Sequence, residues 1–114
     1  DIKTSRDASP EGFARETMRY GYHRQAAHYL AGFEATFCRV PAFIFIVLSN
    51  QQPYTCMVYR LDRDAIELGR RQNSRLLERL SVAMSTNHFV DPGHGTIVDL
   101  SLPRWATASE EYEP

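Results

Sequence analysis

The chain has 114 residues, 43% hydrophobic and 24% charged, with a formal net charge of −1; this suffices for one packed domain and not for two. A global basic field that would draw in nucleic acid is excluded. So is a membrane-spanning helix, since the longest apolar run, Ala42–Leu48, is far too short. Cys38 and Cys56 do not make a disulfide framework, and no signal peptide is visible at the start. The chain therefore reads as a cytoplasmic protein with reduced thiols.

Residues 1–5, Asp-Ile-Lys-Thr-Ser, read as a short strand, with Ile2 directed into a core. Ser9-Pro10-Glu11 is a helix start: Ser9 caps, Pro10 suits the first helical position, and Glu11 faces the positive end of the dipole. That helix runs to about Tyr20, and Gly21 permits a bend. A second helical stretch covers Tyr22–Phe37, with an apolar stripe of Tyr22, Ala26, Tyr29, Leu30, Phe33 and Phe37.

Phe43–Leu48 is continuously apolar, the pattern of a strand covered on both faces. The turn Ser49–Pro53 joins it to a second strand, Tyr54–Arg60, as an antiparallel hairpin. Asp62 or Asp64 caps a long helix to about Ser85, whose buried positions are expected at Ala65, Leu68, Leu76, Leu77, Leu80 and Met84. Residues 91–95 read as a turn, Thr96–Leu100 as an edge strand, and Pro103 onward as tail. The domain spans residues 1–106, and residues 107–114 form an acidic tail carrying Glu110, Glu111 and Glu113. The expected class is α/β (α+β), a mixed sheet flanked by helices. A strand plus a hairpin is thin for this many helices, so further strands are expected before Asp1.

Of 13 basic residues, 12 are Arg and one is Lys, at position 3. Asp1 and Lys3 are two apart, so on a strand they share a face. A carboxylate is a hard ligand suited to Mg²⁺ or Mn²⁺. An adjacent ammonium can stabilise charge developing on a phosphate. Taken alone, the pair would be a surface ion pair of little worth. Gln25 and Tyr29 form an i, i+4 pair on the second helix and also share a face.

The ordered set is more specific than its parts. Asp1-Ile2-Lys3 on a strand, a capped helix, then Gln25-x-x-x-Tyr29, then an apolar strand, resembles the PD-(D/E)XK nuclease superfamily. Residues 1–10 and 20–30 are similar to the exodeoxyribonuclease VIII family of phages and prophages. Weaker similarity continues through the hairpin and long helix to Leu102-Pro-Arg-Trp-Ala. The resemblance implies a restriction-endonuclease-like core and Mg²⁺-supported (or Mn²⁺-supported) hydrolysis of double-stranded DNA from a 5′ end. It implies Asp1 and the Ile2 backbone carbonyl as metal ligands, Lys3 as the catalytic lysine, and Gln25 and Tyr29 lining the site. It places a further acidic ligand on a preceding strand and an acidic or His residue on an earlier helix, both ahead of Asp1. A homo-oligomer and a single-strand annealing protein as partner belong to the same implication.

Other clusters are less specific. Arg15, Arg19 and Arg24 lie near the expected site and are candidates for DNA-backbone contact. Arg71, Arg75 and Arg79 form a row that suits a solvated helix face. His88, Asp91 and His94 match no zinc spacing and read as loop residues. Trp105 is expected to anchor the tail by packing. Two other readings stand beside the nuclease: a non-catalytic nuclease-like fragment that binds DNA or a protein, and an unrelated α/β domain with an incidental Asp1–Lys3 pair.

Overall fold

The four residues Ile2–Ser5 form β1, which pairs in parallel with β2 (Ile44–Ser49). β2 pairs antiparallel with β3 (Cys56–Arg60), so the sheet is mixed, in the order β1-β2-β3. Between β1 and β2 the chain makes two helices, α1 (Pro10–Tyr20) and α2 (Tyr22–Phe37); α3 (Arg63–Thr86) follows β3, and a short α4 covers Arg104–Ala108. The structure is a computed structural model that describes residues 1–91, 93 and 95–108. It divides into two compact units, Asp1–Ser81 and Val82–Pro114.

Local chemistry sets the helix ends in the first unit. Ser9 Oγ accepts from the Gly12 N–H at 3.2 Å, and Pro10 occupies the first turn, where its missing N–H costs nothing. Hydrogen bonds from Ser9 hold the Asp7 carboxyl below its ordinary value, with Arg15 adding to the effect. What Asp7 contributes is therefore present at neutral pH and lost as the pH falls through that lowered value. Gly21 stands at φ 71°, closing α1 and opening α2 in one left-handed residue. Asp62 Oδ1 accepts from the Ala65 N–H at 2.8 Å, which selects Asp62 as the cap of α3.

The core is small and largely aromatic. Phe45 and Val47 of β2 are fully buried against Phe13 of α1 and Ala26 of α2. The Phe13 ring stacks on Tyr59 (5.5 Å, 10°) and meets Phe45 edge-on (5.4 Å, 70°), contacts that add about 0.5–1.5 kcal/mol each beyond area burial. Loss of water around the Tyr59 phenol raises its pKa, so it stays protonated and donates to the Ala8 carbonyl. α3 docks on α2: His23, buried, bonds Gln72 Oε1 (2.7 Å) and the Thr17 carbonyl (3.3 Å), and Asn73 Nδ2 donates to the Arg24 carbonyl (2.9 Å).

Several expectations are corrected. Among the described residues, β2 is covered on one face, not two. Ile44, Ile46 and Leu48 alternate with the buried pair and are 39–46% exposed. A continuous apolar run shows that both faces tolerate burial, not that both are covered. Ile2 lies on that open face at 65% exposure and does not enter a core. Leu76, Leu77, Leu80 and Met84 of α3 are exposed, because among the described residues α3 is buried only at Gly69. Periodicity identifies an apolar stripe without supplying its partner. Residues 96–100 form no strand, residues after Pro103 begin α4 rather than a featureless tail, and Trp105 is 76% exposed. Pro92 and His94 of the expected turn, and residues 109–114 of the expected tail, lie outside the described residues.

The α2–α3 docking depends on one glycine. A Cβ at Gly69 would lie 2.4 Å from the His23 carbonyl oxygen, a backbone atom that cannot swing away. Gly69→Ala is expected to lower stability by about 1–3 kcal/mol, the cost of forced overpacking. Urea unfolding monitored by circular dichroism checks this; an unchanged midpoint would show that α3 is not held this closely.

Candidate active site

Lys3 sits on the helix-facing side of β1, opposite Val47 in the register. Its neighbours Ile2 and Thr4 point to the other face, as the pleat requires. Tucked under α2, the Lys3 side chain keeps only 16% of its exposure. An ammonium withdrawn from water needs replacement partners for its three N–H donors. Three are supplied from different directions. Asp1 Oδ2 is 3.1 Å from Nζ, Gln25 Oε1 accepts at 2.9 Å, and the Tyr22 ring face lies 4.2 Å below. Gln25 is committed further: its Nε2 donates to the Tyr29 hydroxyl at 3.1 Å. Asp1, Lys3, Gln25 and Tyr29 thus form one continuous hydrogen-bonded row.

The row follows from local geometry. Tyr22, Gln25 and Tyr29 recur at spacings of three and four on α2 and so project toward the same strand. Gly21 starts that helix where the first of them reaches Lys3. Tyr29 is 52% exposed, its ring centroid 6.4 Å from that of Phe43 and tilted by 33°, so it closes the row at the surface instead of filling the core. Tyr22 packs against the core, as its place in the apolar stripe predicts, and has a second role that the pattern does not show: it sets its ring under the Lys3 ammonium. Its cation–π contact depends on the β1–α2 approach, which no local motif encodes.

The expected DNA-contact arginines separate. Arg19 lies over the Tyr20 ring at 5.4 Å and lines a cleft beside Lys3. Arg15, exposed, faces Asp7 at 3.8 Å. The Arg24 guanidinium packs where a Gly21 side chain would stand. Arg71, Arg75 and Arg79 are exposed along α3.

The donor set can be judged for a divalent metal. The Asp1 and Ser5 carbonyls accept from Ile46 and Asn50 N–H (2.9 Å each), so the odd-numbered carbonyls of β1 point toward β2. Alternation then directs the Ile2 carbonyl to the other edge of β1. That leaves one carboxylate and one carbonyl, hard oxygens, available to a cation. Mg²⁺ commonly takes only one or two carboxylates and keeps several waters, so these residues fit it. Among the described residues, no group of three or more His, Cys, Asp or Glu side chains gathers at a metal-sized site.

A strand-borne Asp-x-Lys under a helix carrying Gln and Tyr, on a mixed sheet, has a counterpart among known families. Residues 1–99 match the family described as a PDDEXK-like domain of unknown function. The chain belongs to this family. It is therefore a member of the PD-(D/E)XK nuclease superfamily, and its three-stranded mixed sheet flanked by helices is a restriction-endonuclease-like α+β arrangement. No curated protein matches the chain. Membership carries a nuclease-type function in general terms.

Two substitutions separate site geometry from scaffold in this PDDEXK-like domain. Gln25→Ala removes the Lys3 acceptor and the link to Tyr29; Tyr22→Leu removes the ring face but keeps an apolar volume. Each is expected to slow DNA cleavage, by up to roughly a hundredfold, the scale of a group displaced by about 1 Å. The melting temperature of Gln25→Ala should stay close to wild type. Cleavage and melting measured on the same preparations check this. An unfolded Gln25→Ala, or one with a wild-type rate, would make Gln25 structural or neutral.

Proposed function

We propose that this domain hydrolyses DNA phosphodiesters with Mg²⁺ or Mn²⁺, and that its substrate is the end of double-stranded DNA, degraded from 5′ to 3′. The observation carrying the reading is the half-buried Lys3 ammonium held by Asp1, Gln25 and Tyr22. A surface ion pair needs none of that support; a cation aimed at a scissile phosphate does.

In this reading Asp1 and the Ile2 carbonyl hold the metal ion, which when bound supplies Lewis-acid polarisation of the phosphate and a more acidic water. Lys3 places compact positive charge where the phosphate gains negative charge in the transition state. Gln25 fixes the ammonium through its carbonyl oxygen and is itself held by Tyr29, so Lys3 does not reorganise during the reaction. Arg19, and by the same reasoning Arg15 and Arg24, contact the DNA backbone and set register rather than chemistry. The likeness of residues 1–10 and 20–30 to the exodeoxyribonuclease VIII family supports the exonuclease polarity, a role in phage-type recombination, a single-strand annealing protein as partner and a homo-oligomeric assembly. A cytoplasmic location and a domain spanning residues 1–106 complete the reading. No helix of the described residues is long and apolar enough to cross a membrane.

The test is Lys3→Arg in the full protein. Arginine keeps the charge but is longer, planar and fork-shaped, so it carries that charge to a different point than the compact ammonium held by Asp1 and Gln25. Cleavage of linear duplex DNA in Mg²⁺ is expected to fall by about a hundredfold or more, the scale of losing one preorganised electrostatic group. DNA affinity should fall far less. A rate within about threefold of wild type, or full cleavage in excess chelator, would overturn the assignment.

A further inference from the structure

The hydrolytic row uses β1 and leaves the far edge of the sheet without a role. Between β2 and β3 the Leu61 N–H donates to the Phe43 carbonyl at 3.0 Å, and the Ser49 N–H to the Thr55 carbonyl at 2.8 Å. These two bonds fix the phase of the antiparallel ladder, in which the odd-numbered residues of β3 bond β2. The backbone N–H and C=O groups of Cys56, Val58 and Arg60 therefore point away from the sheet. Among the described residues, no hydrogen bond outside the sheet reaches any of them. The register with β2 is unbroken, so no bulge turns this edge aside. Cys56–Arg60 holds no proline, lysine or acid, the devices that commonly close an edge, and its one charge stands at its end.

The side chains make this edge complementary to itself. Cys56, Val58 and Arg60 stand opposite Leu48, Ile46 and Ile44 and so lie on the open apolar face. Met57 and Tyr59 stand opposite Val47 and Phe45, on the helix side. Val58, in the middle of the strand, is 64% exposed. In an antiparallel pair of two copies centred on Val58, every outward N–H meets an outward carbonyl: Val58 against the second copy's Val58, and Cys56 against its Arg60. Val58 gains a β-branched neighbour, and Met57 comes opposite the second copy's Tyr59, a sulfur–aromatic pair. The two Arg60 side chains stand at opposite ends, whereas a parallel pair would set them side by side. The lateral row Ile2, Ile46, Val58 continues across the join into the same three residues of the second copy. A contact of this length buries less than the roughly 1,200 Å² at which standard interfaces begin, so the pair is weak, with a dissociation constant on the order of 1–100 μM.

We propose that β3 is a self-association edge, through which two copies join antiparallel about Val58 into one continuous sheet. The two β1 strands then take the outer edges, about 24 Å apart at five strand spacings, and both Lys3 sites stay open. The inference rests on the homo-oligomeric assembly proposed above, to which it gives a surface and a register; it owes nothing to the hydrolytic chemistry.

The test is made on the full protein, with Cys38 and Cys56, both exposed, replaced by serine. Val58→Cys is expected to form a disulfide-linked dimer on mild oxidation, since residues facing each other in such a pair have Cα atoms about 5.5 Å apart. Ile46→Cys, on the same open face but one strand inward, should not cross-link, because the join sets its two copies about 14 Å apart. Val58→Lys, in the otherwise native protein, opposes two like charges and should weaken dimerisation at least about tenfold in sedimentation velocity, with partial recovery in high salt. Its cleavage rate and melting temperature should match wild type. A protein that stays monomeric across micromolar concentrations would overturn both the proposal and the homo-oligomeric reading. An assembly that is indifferent to Val58→Lys, or that cross-links through Ile46→Cys instead of Val58→Cys, would overturn the proposal alone, the second result showing that copies stack face to face.

Discussion

An ammonium group cannot be withdrawn from water without replacement of its hydration, and Lys3 is withdrawn to 16% exposure. Everything distinctive in this domain meets that requirement. A carboxylate, an amide oxygen and an aromatic face replace three directions of solvent. One comes from Asp1, just ahead of β1, and two from α2, so the cation on β1 ties the strand to the helix as well as being held. Removing any one partner lets the partly exposed ammonium turn toward water in that direction, so its position is lost before the fold is.

The constraint reaches outward. Parallel pairing of Lys3 with Val47 puts the ammonium on the same face as Phe45 and Val47, the two fully buried side chains. The helix that covers this core must therefore also satisfy the lysine. α2 does so with two adjoining stripes: Tyr22, Gln25 and Tyr29 toward Lys3, Ala26 and Leu30 into the core. α3 holds α2 from behind through His23, Gln72 and the close approach at Gly69. The other face of the sheet, with Ile2, Ile44, Ile46, Leu48 and Val58 exposed, contributes nothing to this arrangement.

Much of this was legible in the chain, for identifiable reasons. Helix starts were readable because Ser9-Pro10 and Asp62 act within a few residues of their targets. The β2–β3 hairpin was readable because its turn is local in sequence, whereas the parallel seat of β1 beside β2 came only with the structure. The i, i+4 relation of Gln25 and Tyr29, and the i, i+2 relation of Asp1 and Lys3, are properties of helix and strand, so shared faces could be stated without coordinates. What was hidden depends on approach between elements. Tyr22 touches Lys3, Arg19 and Arg15 diverge on one helix, and His23, which no motif singles out, joins α2 to α3. Burial was overestimated at Leu76, Leu77, Leu80 and Ile2, because hydrophobicity reports readiness to be covered and not the presence of a cover.

The central claim is that Lys3 is preorganised beside a metal-binding carboxylate. As the single lysine of the 114-residue chain, it offers a single-site probe. Protein labelled with ¹³C at lysine should give one Cε–Hε signal from this residue. That signal should be shifted upfield by the Tyr22 ring and broadened selectively when Mn²⁺ is added. A lysine signal at the position of a free, solvated side chain, indifferent to Mn²⁺, would contradict the account.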